Sequence, residues 1–283
     1  MAAEALSMAE EVRANYNLVD DEPLSIYDLC RSLGIVVRFT DVNTPEGMYI
    51  PGRRPQICIT ARRPAGRKTY TCAHELGHHC FKHGKRIDNL IQQARFSALQ
   101  PEEYLADCFA GYLLMPVLGI QEAFVKRSWN ASNATPQQFF TIACEFGVGY
   151  QTLLTHTHFV LKLITEERYG ELKKVDLKAI RKEAIGKEYQ KDRLLIFDEQ
   201  SATPVVEAEE GTLILVPKGI EILDDVVVKE ADMSDGILLR AARRGVIGVD
   251  FEDGKPFKQI KVASYQWYGL DKFRHLEEEP DDD

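Results

Sequence analysis

Residues 68–84, KTYTCAHELGHHCFKHG, hold His74, Glu75 and His78 in the spacing H-E-x-x-H. In a helix, side chains four residues apart stand one above the other, so His74 and His78 can offer both imidazoles to one metal ion. Glu75 then projects beside that ion, where it can take a proton from bound water. Gly77 inside the same helix costs about 1 kcal/mol relative to alanine, which makes sense where a neighbouring backbone comes close. His79, next to His78, points about a quarter-turn away and reads as an ordinary, partly buried histidine. His83 is a weaker candidate for assisting an oxyanion, and Tyr70 is near the motif in sequence only.

A third ligand is needed, and residues 100–116, QPEEYLADCFAGYLLMP, supply the best one. Pro101 suits a first helical turn, and Leu105, Cys108, Phe109 and Tyr112 recur at helical spacing as a core-facing stripe. A different face carries Glu103, Ala106, Asp107 and Ala110, a small, acidic surface against which the histidine helix can pack closely. Glu103 completes a His, His, Glu set and leaves a fourth position for water. Asp107, one turn on, can orient a ligating imidazole. The metal expected is Zn2+, with Mn2+ as its alternative in the cell. The duller reading is a pair of helix histidines that hold no metal.

These two segments resemble the ImmA/IrrE family of bacterial metallopeptidases. The runs AHELGHH and EYLADCFAGYLLMP match that family's H-E-x-x-H helix and its E-x-x-A-x-x-F-A-x-x-L-L-M-P segment, here from Glu103 to Pro116. The resemblance covers roughly residues 20–163. It implies a zincin-like fold and limited proteolysis of a helix-turn-helix transcriptional repressor, hence a role in stress or mobile-element responses. Spacing alone supports only a metal-dependent hydrolase.

The 283 residues exceed one typical domain, and 45% hydrophobic with 28% charged residues is ordinary for a globular chain. A formal net charge of −9 disfavours nonspecific nucleic-acid binding. The six cysteines all lie between residues 30 and 144 without C-x-x-C pairing and read as reduced core residues. The opening stretch lacks an apolar signal core, and no eighteen-residue apolar run stands out, so the expected location is cytoplasmic, with no membrane partner.

The overall expectation is an α+β chain. Residues 1–130 read as a zincin-like metallopeptidase domain, 131–165 as a helix-turn-helix-like helical segment and 166–191 as a charged linker. Residues 192–276 read as a β-rich C-terminal domain and 277–283 as an acidic tail. Within the first region, Ser25 and Asp28 suggest a capping box, and residues 35–39 a strand. Residues 47–50 and 57–60 suggest a hairpin whose second strand is a candidate sheet edge for an extended substrate. Arg53, Arg54, Arg62, Arg63, Arg67 and Lys68 make the approach to the histidine helix basic. Residues 85–99 read as a loop that either covers the cleft or simply connects.

Thr135-Pro136 and the turn at residues 147–149 give helix-turn-helix spacing, yet residues 150–160 hold no lysine or arginine. The second helix therefore lacks the phosphate and guanine contacts of a DNA reader, and direct DNA binding is disfavoured. His156 and His158, two apart, do not share a helical face. Two functions compete. One is a zinc-dependent endopeptidase with Glu75 as the base. The other is a non-proteolytic regulatory protein-binding module with a structural or sensory metal.

Overall fold

The computed structural model describes residues 1–18, 22–43, 45–84, 100–221, 224–251 and 259–276. The loop expected at 85–99 and the acidic tail expected at 277–283 lie outside the described residues. Contacts divide the mixed α and β chain into two units, one of residues 1–119 with 266–274, the other of residues 120–265 with 275–283.

The first unit opens with helices α1 (Ala2–Asn15) and α2 (Ile26–Ser32). Ser25 caps α2 by accepting the Asp28 N–H on its hydroxyl, and Gly34, at φ +72°, turns the chain out of it. Three strands follow: β1 (Val36–Thr40), β2 (Gly47–Ile50) and β3 (Gln56–Thr60). Strands β2 and β3 form the antiparallel hairpin, while β1 pairs with β3 in parallel. Strand β3 is thus interior, with Ile57 and Ile59 buried, and the outer strand is β2. This corrects the expectation that residues 57–60 form the edge. A parallel partner earlier in the chain leaves no local mark on β3.

The fourth strand of this sheet comes from far down the chain. Gly269–Leu270, expected within the β-rich C-terminal region, pairs antiparallel with Phe39 and Arg38 of β1.

Helix α3 (Ala65–Cys80) carries the H-E-x-x-H spacing and α4 (Pro101–Leu114) carries Glu103. The most buried face of α4 runs through Ala106, Phe109, Ala110 and Leu113, while Cys108 and Tyr112 are only partly covered. Small residues on that face allow close helix packing. A Cβ added at Gly77 would meet the Ala106 Cα at 3.0 Å and Phe109 Cδ1 at 3.1 Å. Arg13 of α1 ties into the same core by donating from Nη1 to the Leu113 carbonyl at 2.9 Å.

Residues Pro101–Val125 are, by length and composition alone, long and apolar enough to cross a membrane, contrary to the expectation that no such run exists. The helix is broken at Met115-Pro116 before α5 (Val117–Val125) begins, and 56% of the apolar window is buried inside the protein.

In the second unit, α6 (Pro136–Glu145) starts with a full capping box between Thr135 and Gln138, and Gly147, at φ +63°, leads the chain toward α7 (Tyr150–Thr155). Instead of running on as one α-helix, residues His156–Val160 form a short π-helix capped by Leu161, and Lys162 follows at φ +54°. Helices α8 (Glu166–Lys173) and α9 (Leu177–Ile185) occupy the charged stretch, each burying two apolar side chains. Strands β4 (Leu194–Ile196), β5 (Val205–Glu209), β6 (Leu213–Val216), β7 (Ile220–Glu221), β8 (Val227–Asp232), β9 (Ile237–Ala241), β10 (Gly245–Gly248), β11 (Asp250–Phe251) and β12 (Gln259–Ala263) follow. They form sheets ordered β4-β6-β9-β8, β10-β12-β5 and β11-β7. Phe140 of α6 packs against their buried faces, which include Val206, Ile214, Leu239 and Ile260.

Candidate metal centre

The one-turn spacing on α3 brings His74 and His78 together with their Nε2 atoms 3.1 Å apart. Glu103, in the first turn of α4, reaches the same point: its Oε2 lies 3.3 Å from His74 Nε2 and 3.6 Å from His78 Nε2. All three side chains are buried. Tetrahedral ligands at ordinary zinc–nitrogen and zinc–oxygen lengths stand about 3.3–3.4 Å from one another. The observed triangle brackets that value, so these residues fit a single small divalent cation.

Charge leads to the same fit. Glu75 and Glu103 are both buried carboxylates, and burying negative charge is costly unless a cation or donors meet it. A divalent ion among His74, His78 and Glu103 would supply positive charge where the fold concentrates negative charge.

The outer nitrogens of both imidazoles are engaged. Asp107 Oδ1 lies 2.9 Å from His74 Nδ1, and His83 Nδ1 lies 2.9 Å from His78 Nδ1. Asp107 is itself anchored, since Tyr70 donates its hydroxyl to the Asp107 carbonyl at 3.1 Å. Burial, reinforced by the neighbouring Asp107, pushes the Tyr70 phenol well above its usual range.

Glu75 is fully buried and faces the outer strand. A Cβ on Gly47 of β2 would overlap Glu75 Oε1 and crowd Thr71 Cγ2, so the strand backbone lies directly on the carboxylate. The preceding residue fixes that strand: Glu46 is buried and binds Arg63 Nε at 3.0 Å and Arg67 Nε at 2.8 Å, while its carbonyl accepts the Thr60 N–H at 3.0 Å. Sequence reading missed Glu46 and Gly47, whose only local signal is a charged residue followed by glycine at the start of a strand.

The basic approach read from sequence is largely neutralised. Arg63 and Arg67 hold Glu46, Arg62 bonds Asp41 at 2.6 Å, and Lys68 is buried with its ammonium 5.8 Å from the Phe39 ring centre. Arg53 and Arg54 remain exposed on the hairpin loop.

His79 is partly buried. Its Nδ1 lies 2.9 Å from the Tyr49 hydroxyl, and burial lowers its pKa. Cys72 is enclosed with its Sγ 3.8 Å from Cys30 Sγ, and burial raises the Cys80 thiol to about 12. All six cysteines are free. His156 is buried, whereas His158 bonds Glu166 at 2.7 Å.

Residues 30–157 match the family described as the IrrE N-terminal-like domain. No curated protein matches the chain. Among solved structures, a Mycobacterium tuberculosis transcriptional regulator is similar at 19% identity and a TM-score of 0.39, over 55% of this chain and 46% of that one. This chain thus spans less than half the length of that regulator.

Proposed function

With residues 30–157 belonging to the ImmA/IrrE family of metallopeptidases, we propose that the protein is a zinc-dependent endopeptidase that makes a limited cut in a helix-turn-helix transcriptional repressor. The convergence of His74, His78 and Glu103 within 4.8 Å, with Glu75 one residue from His74, carries this reading.

His74, His78 and Glu103 would hold the metal, which when bound supplies Lewis acidity toward a water and toward the scissile carbonyl. Asp107 and His83 keep the two imidazoles turned so that Nε2 faces inward. Glu75 accepts the proton of the attacking water and passes it to the leaving amine, acting first as base and then as acid. Its burial keeps the carboxylate away from bulk solvent. The outer edge of β2 offers backbone groups to an extended substrate, which would run past Gly47 and hence past Glu75. In this reading the protein works in the cytoplasm as a zincin-like protease, in keeping with its six free cysteines.

The test incubates purified protein, with zinc or manganese, beside repressor-like proteins encoded close by. A single cleavage is expected from the wild type. Glu75→Gln should retain the metal, because the ligands survive, and lose cleavage, because the base does not. Undiminished proteolysis by Glu75→Gln would overturn the mechanism. Tight metal binding by the wild type with no cleavage of any such repressor would favour the regulatory binding module.

A further inference from the structure

Resting on the metal-site reading above, we propose that His83 is a positioning residue for His78, holding its ring by accepting the Nδ1–H. The end of α3 brings the two rings together. Phe81 is the C-cap, Lys82 sits at φ +57°, the Lys82 N–H donates to the His79 carbonyl at 3.1 Å and the His83 N–H donates to the His78 carbonyl at 2.9 Å. That pair of bonds is a Schellman closure, a position where glycine is the usual left-handed residue. Here the residue is lysine, and a left-handed non-glycine residue costs about 1–2 kcal/mol. Gly84, two positions on, would have suited the left-handed position without that strain, but the closure is made at Lys82 and folds His83 back beside His78.

Packing then fixes the returned ring. His83 stacks on Phe81 with ring centres 5.6 Å apart and planes within 20°, and Phe81 meets Phe109 of α4 edge-on at 6.0 Å. The result is the Nδ1 to Nδ1 separation of 2.9 Å between His83 and His78. Two nitrogens at that distance share one proton. Because His78 turns its Nε2 toward Glu103 and His74, Nε2 must keep its lone pair for the metal, so the proton belongs on His78 Nδ1 and His83 Nδ1 accepts it. Asp107 serves His74 in the same way from α4, so each imidazole of the pair has its own orienting partner.

The experiment measures zinc affinity by competition with a chromophoric chelator, using wild type, His78→Ala, His83→Phe and His83→Asn. Phenylalanine keeps a ring against Phe81 without an acceptor, whereas the asparagine carbonyl oxygen can take the place of Nδ1. His83→Phe should bind zinc roughly 10–100-fold more weakly, and His83→Asn should recover most of the loss. Melting of the metal-free proteins should not follow that order. Equal affinities for wild type and His83→Phe, with His78→Ala still defective, would overturn the role of His83 alone. Equal affinities for wild type and His78→Ala would instead overturn the metal site. Ring-nitrogen NMR of the zinc-loaded wild type gives a second check independent of any variant: a proton is expected on His78 Nδ1 and none on His83 Nδ1, and the reverse would sink the inference.

Discussion

Gly47 and Glu75 are pressed together so closely that a methyl group on the glycine would occupy the space of the carboxylate oxygen. The strand backbone is held, since Gly47 follows the clamped Glu46, so the end of the buried Glu75 side chain is the part that must move or push the strand away. Gly47→Ala should therefore displace the carboxylate or the strand by about an ångström, a shift that can lower turnover ~100-fold. The atoms that a methyl on Gly47 would meet first belong to Glu75 and Thr71, not to His74, His78 or Glu103, so metal content should stay at the wild-type level. The comparison to make is repressor cleavage against bound zinc. Normal cleavage by Gly47→Ala would show that the contact has no catalytic consequence.

Gly77 sets two effects against each other. Alanine would favour the helix by about 1 kcal/mol. Its methyl would also meet the Ala106 Cα at 3.0 Å, a backbone atom that moves only if α4 moves. Overpacking of that kind costs about 1–3 kcal/mol, so a net destabilisation is expected. Because α4 carries Glu103, zinc affinity should fall along with stability, and chemical denaturation with chelator titration reads both. A Gly77→Ala protein more stable than wild type, with unchanged affinity, would contradict the close packing of these helices.

What the sequence made legible was the local geometry. That His74 and His78 share a face follows from helical periodicity, and the small face of α4 opposite Gly77 was readable from Ala106 and Ala110. Where the reason for a residue lies far along the chain, the signal was absent. The parallel pairing of β1 with β3, the return of Gly269–Leu270 to β1, and the overlap of Gly47 with Glu75 all involve non-local partners. The closure that brings His83 to His78 was hidden differently, because lysine stands where glycine would have announced it. Arg62, Arg63 and Arg67 looked like free charges because Asp41 and Glu46, which pair with them, come earlier in the chain.

Two ion pairs in the second unit should differ sharply in worth. Arg127 is buried and bonds Glu145 at 2.8 Å and Asp198 at 2.7 Å, with Lys126 on the other Glu145 oxygen at 2.7 Å. Burial works against its charge, but its bonds to Asp198 and its attraction to Glu145 more than offset that and raise its pKa. Arg127→Leu leaves Glu145 buried with less compensation and should cost about 3–5 kcal/mol. Arg240 pairs with Glu230 at 2.8 Å on a more exposed surface, where Arg240→Leu should cost under about 1 kcal/mol and less in salt. The hydrogen bond from Arg240 holds Glu230 below its ordinary carboxylate range. Its small contribution is therefore present above the unfolded carboxylate pKa and fades as pH falls through the depressed one. Urea denaturation of the two variants checks the ranking, and equal losses would refute it.

The return of the chain to the first unit rests on Asp271. Its buried carboxylate binds Arg31 at 2.7 Å and Arg274 at 2.8 Å, and the Arg274 guanidinium lies 4.1 Å from the Tyr27 ring centre. Arg31 is half exposed and easily rehydrated, whereas Arg274 is buried, so most of the penalty on losing Asp271 falls on Arg274. Asp271→Ala should destabilise the first unit by about 3 kcal/mol. A chain ending at residue 265, which also loses the strand against β1, should lose at least as much and bind zinc less tightly, because β1 supports β3 and β2 beside Glu75. A chain ending at residue 276 is the control. If the chain ending at 265 melts and binds zinc like that control, the distal segment contributes nothing to the first unit; if only the shorter chain fails, the His74, His78 and Glu103 cluster depends on residues more than a hundred and fifty positions beyond Glu103.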